Sequence, residues 1–299
     1  MRVVLVGSVA SSERLLKVMI EKNIEIAMVF SLDEQYSENV SGYRPIHNLA
    51  QENNIPYTKF KKINDAENVE IIKNIKPDYI FIVGLSQLVK KEIISCAKKG
   101  VVGYHPTPLP KFRGRAATVW QILLGVKKSA VSMFFIDEGI DSGDIICQEE
   151  YEIAENDYPT DVGKKTERAS LKLFAKALDL LQDPDFKPTP QNEEEATYLL
   201  KRTPEDGKIN WNEPGEDIAR LIRATSRPYP GAFASYEGKS DVIFWRSDFI
   251  PENKYIGFFG QIISVDDEKI DILCKNGILR VTDYTLPADI KLIAGHKFK

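Results

Sequence analysis

The run Tyr79-Ile80-Phe81-Ile82-Val83 contains no polar position, and it constrains the fold more than any other stretch of the chain. A strand with one solvated face alternates, whereas a strand that is apolar throughout is covered on both faces, as in a parallel sheet between layers of helices. The flanking segments fit that setting. Residues 2–7 form an apolar, β-branched run, and Ser11-Ser12-Glu13 open a segment whose Leu15, Leu16, Val18, Met19 and Ile20 recur on one helical face. Residues 25–30 read as a second strand, Pro45 starts a helix carrying Ile46, Leu49 and Ala50, and Ile55-Pro56-Tyr57 leads back to the sheet. The alternation predicts an α/β fold with a doubly wound, mostly parallel, Rossmann-like sheet.

Residues 130–136 and 144–152 add two strand-like runs, and Thr160 is expected to cap a long helix reaching about Leu181. The Pro- and Glu-rich stretch that follows reads as a connector. Beyond it, short strands at 231–236, 242–245, 260–265, 270–274 and 278–281 alternate with turns, which suggests a small OB-like β-barrel. The expected division is an α/β domain over 1–185, a linker over 186–205 and a β-barrel domain over 206–299.

Length and composition narrow the function. A net charge of −4, with 15 basic and 15 acidic residues over 201–299, gives no general footprint for a polyanion. Three scattered cysteines without a CxxC pair argue against a disulfide framework and a cysteine zinc site, and point to a reducing, cytoplasmic setting with no metal. The longest apolar stretch falls far below the roughly 18 residues that span a bilayer, so no membrane segment is expected. The glycine turn at Gly7-Ser8 lacks the spacing of a dinucleotide fingerprint, which disfavours a plain dehydrogenase. It is either a ligand contact through Ser8 or a tight strand-to-helix connection.

The chemistry concentrates in Gly103-Tyr104-His105-Pro106-Thr107-Pro108-Leu109-Pro110-Lys111-Phe112-Arg113-Gly114-Arg115 and, about 25 residues on, Asp137-Glu138-Gly139-Ile140-Asp141-Ser142-Gly143-Asp144. His105, one of three histidines, follows a predicted parallel strand at the sheet edge where open α/β sheets bind ligands. Three prolines within five residues stiffen the loop behind it.

These residues resemble the folate-dependent formyltransferase superfamily, whose members carry Asn-x-His-x-Ser-Leu-Leu-Pro, then Arg-Gly-x-Ala and a later aspartate segment. The likeness runs through about Leu181 and continues in Ala196-Thr197-Tyr198, in Lys201 to Trp211 and in Ile222-Arg223-Ala224. Arg113-Gly114-Arg115-Ala116 and Arg227-Pro228-Tyr229-Pro230-Gly231-Ala232-Phe233 look like the branch that formylates the amine of a nucleotide-linked sugar, as in enzymes acting on UDP-4-amino-4-deoxyarabinose. The resemblance implies 10-formyltetrahydrofolate as donor, a nucleotide-linked amino sugar as acceptor and a dimer through the β domain. His105 would be the general acid/base, oriented by Asp141. Ser86, Gln87, Leu88 and Val89, with Asp137, Glu138, Gly139 and Ile140, would grip the pterin.

An amine attacking a formamide carbon must lose a proton while the departing folate nitrogen gains one, and imidazole can serve both transfers near neutral pH. One departure stands out. The family asparagine two residues before the histidine is Gly103, so a side-chain donor for the oxyanion is missing; one such donor is worth roughly 2.7–4 kcal/mol. Gln87, after the central strand, is the expected substitute.

Lys111, Arg113, Gly114 and Arg115, together with Arg223 and Arg227 and, less directly, Arg220, are candidate contacts to the acceptor's phosphates, since arginine forks suit them. A solvated charged face is the alternative. Tyr229 either stacks on a base or packs under the β domain. The competing functions are methionyl-tRNA formyltransferase, with the same donor and catalytic pair, and a noncatalytic relative that lost the asparagine.

Overall fold

The computed structural model describes residues 1–38, 40–85, 87–288 and 290–299; Ser86, expected against the pterin, lies outside them. In chain order the elements are β1 (Arg2–Gly7), α1 (Ala10–Glu21), β2 (Glu25–Leu32), α2 (Ile46–Glu52), β3 (Tyr57–Phe60), α3 (Ala66–Ile75), β4 (Tyr79–Val83), α4 (Lys91–Ile94) and β5 (Gly100–His105). There follow β6 (Arg113–Gly114), α5 (Ala117–Leu123), β7 (Lys128–Phe135), β8 (Ile145–Glu152), α6 (Pro159–Leu180), β9 (Tyr198–Leu199) and α7 (Gly215–Thr225). The last five strands are β10 (Ala232–Tyr236), β11 (Ser240–Ile250), β12 (Ile262–Val265), β13 (Ile270–Cys274) and β14 (Gly277–Thr285). They gather into two compact units, one of residues 1–114, 129–151 and 165–198, the other of 115–128, 152–164 and 199–299.

The first unit is built on a seven-stranded sheet of order β3-β2-β1-β4-β5-β7-β8. Strands β1 to β5 run parallel, and β7 pairs antiparallel with β5. As the apolar run predicts, both faces of β4 are covered: Tyr79, Ile80, Phe81, Ile82 and Val83 are all buried. The strand order reverses between β1 and β4, the switch point at which open α/β sheets leave a crevice beyond the carboxyl ends. There the chain is tightly closed. A Cβ on Gly7 would collide with Ser12, whose hydroxyl accepts from the Ser8 N–H and donates to the Val83 carbonyl. The helix expected to be capped by Thr160 begins one residue earlier, at Pro159, with the Asp161 carboxylate accepting from the Tyr158 N–H.

In the second unit the strands form an antiparallel sheet of order β10-β11-β14-β13-β12. Its two edges are joined by the last residues of the chain, since Tyr236 bridges to Phe298 and Gln261 to Lys297. The edge strands are thereby covered, the device that barrels use to remove open edges. Trp211, Phe244 and Phe298 fill the centre, and α7 lays Ile218, Ala219 and Ile222 on the same core. Among the described residues no helix is long and apolar enough to cross a membrane.

Candidate active site

His105 is the last residue of β5, opposite Ser132 of β7, and its side chain is almost buried. Its Nε2 lies 2.9 Å from the Phe112 carbonyl oxygen. A carbonyl only accepts, so this contact puts a hydrogen on Nε2 and leaves Nδ1 as the nitrogen open to proton exchange. Nδ1 faces Asp141 Oδ2 at 3.6 Å, too long for a hydrogen bond but within reach of opposite charges. The same oxygen accepts from the Gly114 N–H at 2.9 Å. Gly114, expected to meet phosphate, therefore holds the carboxylate through its backbone. The division of labour also differs from the sequence expectation: Phe112 fixes the ring, and Asp141 stands on the side where a proton would move.

The loop behind His105 is tied down residue by residue. Ser132 Oγ donates to the Thr107 carbonyl and accepts from the Leu109 N–H, while Gln148 Nε2 donates to the Leu109 carbonyl. The Phe112 N–H donates to Thr197 Oγ1 and the Arg113 N–H to the Thr197 carbonyl. Phe112 (φ 64°) and Asp141 (φ 51°) both have left-handed backbones. Such residues persist only where their surroundings over-determine them, and they concentrate at functional sites.

Gly103 has a packing reason. It pairs with Phe134 across the β5–β7 ladder, and a Cβ there would sit 2.8 Å from the Phe134 ring and 3.0 Å from Ile136. The ring occupies the space that an asparagine would need. Gln87 does not take over the missing amide's work: its Oε1 accepts from the Ile63 N–H at 2.9 Å and its Nε2 donates to the Lys61 carbonyl at 2.8 Å. Both ends of the amide are spent on bracing the loop after β4, with Asn64 bonding Leu88 and Lys90 from the same side.

The loops expected to hold the pterin carry exposed apolar side chains. Leu88 is 83% exposed and Ile140 60%. Val89 packs partly into the core. Asp137 Oδ1 accepts from the Gly139 N–H and the Ser142 hydroxyl, which shapes the second loop, and Glu138 pairs with Lys91 at the surface.

The basic candidates separate sharply. All five N–H bonds of Arg113 are used: Nε and Nη2 on Gln191 Oε1, Nη1 and Nη2 on the two Glu193 oxygens, and Nη1 on the Tyr198 hydroxyl. Its side chain is fully buried, so it has no donor left for a phosphate, contrary to expectation. The Arg113 hydrogen bonds hold the Glu193 carboxyl below its usual range. Ser8 is also closed to a ligand, buried with its hydroxyl on the Gly84 carbonyl. Lys111 remains exposed, as does Arg115 in the second unit, without an ion pair among the described residues.

In the second unit Arg227 stacks 4.2 Å from the centre of the Trp245 ring and pairs with Asp283, and Arg220 pairs with Asp217. The Arg223 Nε is buried without a hydrogen-bond partner among the described residues, and burial pushes its guanidinium pKa down. Burial also pushes the Tyr229 hydroxyl up, and its hydrogen bond to Thr118 favours the packing role over stacking on a base.

Residues 1–178 match the formyl transferase family, and residues 201–297 match the formyl transferase C-terminal domain. The methionyl-tRNA formyltransferase of Alkaliphilus oremlandii is 30% identical over 285 residues, covering 95% of this chain and 91% of the relative. Two solved structures share the fold at lower identity. An N-formyltransferase from Helicobacter canadensis, in complex with folinic acid and dTDP-3-aminofucose, has a TM-score of 0.66 at 19% identity and covers 95% of this chain and 99% of its own. HypX from Aquifex aeolicus in complex with tetrahydrofolic acid has a TM-score of 0.66 at 22% identity; the match covers 95% of this chain but spans only 44% of HypX. The chain belongs to the formyl transferase family, within the folate-dependent formyltransferases.

Proposed function

We propose that this formyltransferase moves the formyl group of 10-formyltetrahydrofolate to the amine of a nucleotide-linked amino sugar in the cytoplasm, with His105 and Asp141 as the reacting pair. The observation that carries the reading is the His105 ring itself: Nε2 is pinned by a backbone carbonyl and Nδ1 is aimed at a carboxylate. The amine nitrogen bonds to the formyl carbon, the bond from that carbon to the folate nitrogen breaks, and one proton passes from the amine to the folate nitrogen. Nδ1 is the group suited to carry that proton, and the Asp141 carboxylate stabilises the imidazolium while it does so. No covalent enzyme intermediate is needed. Leu88 and Ile140, with the backbone around them, would cover the pterin.

Charge favours a small acceptor. The loops after β1 to β5 and β7 in the first unit carry Arg44, Lys61, Lys62, Lys90, Lys111 and Arg113 against Asp33, Glu34, Glu38, Asp65, Asp137, Glu138, Asp141 and Asp144. A surface that follows a tRNA backbone needs a basic excess, and with Arg113 neutralised internally this edge has none. A nucleoside diphosphate sugar requires far fewer cations. The second reading, methionyl-tRNA as acceptor, is favoured by the 30% identity to the Alkaliphilus oremlandii enzyme.

The test is formyl transfer from 10-formyltetrahydrofolate to dTDP-3-aminofucose, other nucleotide-linked amino sugars and methionyl-tRNA in parallel, followed by release of tetrahydrofolate. Turnover of a sugar supports the proposal. Turnover of methionyl-tRNA alone, weakening steeply with salt, replaces the acceptor and leaves the catalytic pair standing.

A further inference from the structure

Gln191 lies in the stretch that reads as a linker, and nothing about its sequence setting marks it. Its side chain nonetheless joins the Asp141 turn to the buried guanidinium. Nε2 donates to the Asp141 carbonyl at 2.8 Å and to the Gly143 carbonyl at 2.7 Å, while Oε1 accepts from Arg113 Nε and Nη2. Chemistry settles the orientation of this amide, because carbonyls only accept and a guanidinium only donates. Glutamate would set a carboxylate oxygen against two carbonyls, and asparagine is one methylene short. Arg113 is in turn held by both oxygens of Glu193.

The turn that Gln191 holds needs holding. Asp141 has φ 51°, uncommon outside glycine, and a Cβ on Gly143 would collide with the Phe135 carbonyl. Two carbonyls two residues apart, both drawn to one amide, fix the turn from outside while the Gly114 N–H fixes the carboxylate.

We propose that Gln191 is a positioning residue for formyl transfer: by clamping the 141–143 turn onto the Arg113–Glu193 pair, it keeps the Asp141 carboxylate opposite His105 Nδ1. This inference rests on the reading of His105 and Asp141 as the reacting pair. It assigns the connecting segment a part in catalysis, although Gln191 acts only through Asp141.

A double-mutant cycle tests it, using Gln191→Leu, Gln191→Glu, Asp141→Asn and the Gln191→Leu/Asp141→Asn pair. Rates are measured with 10-formyltetrahydrofolate and whichever of dTDP-3-aminofucose and methionyl-tRNA is turned over. Hydrogen exchange at the 141–144 amides is followed alongside, as a readout that needs no substrate. Gln191→Leu should lower kcat about 100-fold, the scale of a 1 Å misplacement at a reacting centre, with the donor KM within about two-fold. Exchange at 141–144 should quicken while β5 stays protected. Gln191→Glu preserves volume, so it remains informative if the leucine variant folds poorly, and it should lose activity to a similar degree. In the Asp141→Asn background the leucine change should cost less than about two-fold more.

Losses that multiply in the double variant, or a Gln191→Glu enzyme with full kcat, would overturn the positioning role while leaving the reacting pair intact. An Asp141→Asn enzyme with full kcat would instead overturn the reacting pair, and the proposal with it.

Discussion

Arg113 and Arg227 both sit in segments whose sequence suggests phosphate recognition, and the folded chain uses them in opposite ways. Arg113 is sealed, with every donor matched by an acceptor at 2.6–3.2 Å. Arg227 is half exposed, flat against Trp245 and paired with a half-exposed Asp283. A buried guanidinium with all five hydrogens satisfied is part of the architecture, because removing it strands several polar groups at once. An exposed ion pair is weak and rearranges readily, so it can exchange its carboxylate for a ligand's phosphate. Residue type tells where charge is available; only the count of unmet hydrogen bonds tells whether it is available to a ligand.

That contrast can be broken by measurement. Arg113→Ala should show the largest effect, lowering unfolding stability by about 3 kcal/mol in urea titrations, since it leaves a cavity and strips Gln191 Oε1 and the Tyr198 hydroxyl of their donor. Gly103→Asn comes next: with Phe134 in its path, it should cost about 2 kcal/mol, as overpacking does, and thermal melting would register it. Finding no loss would mean that the ring yields and the family amide can be restored. Gln87→Ala should remove two loop hydrogen bonds and about 1 kcal/mol while kcat changes little; a large fall in kcat would return Gln87 to the catalytic centre.

Smaller effects follow from the ion pairs. Because Arg113 depresses the Glu193 pKa, the pair's stabilisation is present above the unfolded carboxylate value and is lost as pH falls through the lower folded value. The stability difference between the wild-type protein and Glu193→Gln should therefore shrink on acidification, and a constant gap across that range would contradict the assignment. Arg227→Ala should change stability least, by less than about 1 kcal/mol, and any loss should appear in the acceptor KM.

Much of the fold is legible in the chain. The β4 strand is found where its apolar run places it, and the barrel strands lie between their turn signals, because burial on one or both faces imprints a period on the residues. Closure of the barrel by residues 297–298 is not legible, since pairing at a sheet edge depends on backbone groups that sequence does not encode. The site divides in the same way. His105 and Asp141 stand out through the stiff proline loop and the aspartate turn. The residues that hold them, Gln148, Gln191, Glu193 and Tyr198, are far away in the chain and ordinary in type. Gln87 is hidden in the same way: position at the right sheet edge does not reveal that both ends of an amide are already bonded.

In the proposed mechanism Nδ1 of His105, facing Asp141, carries the proton in formyl transfer. Its most direct test is a comparison of kcat with dissociation of 10-formyltetrahydrofolate for His105→Ala and Asp141→Asn, using the acceptor that the wild-type protein turns over. Loss of turnover by about 100-fold or more, with donor affinity within a few-fold of wild type, is the expected result. Turnover that survives the loss of the imidazole would contradict the claim and move the proton transfer elsewhere.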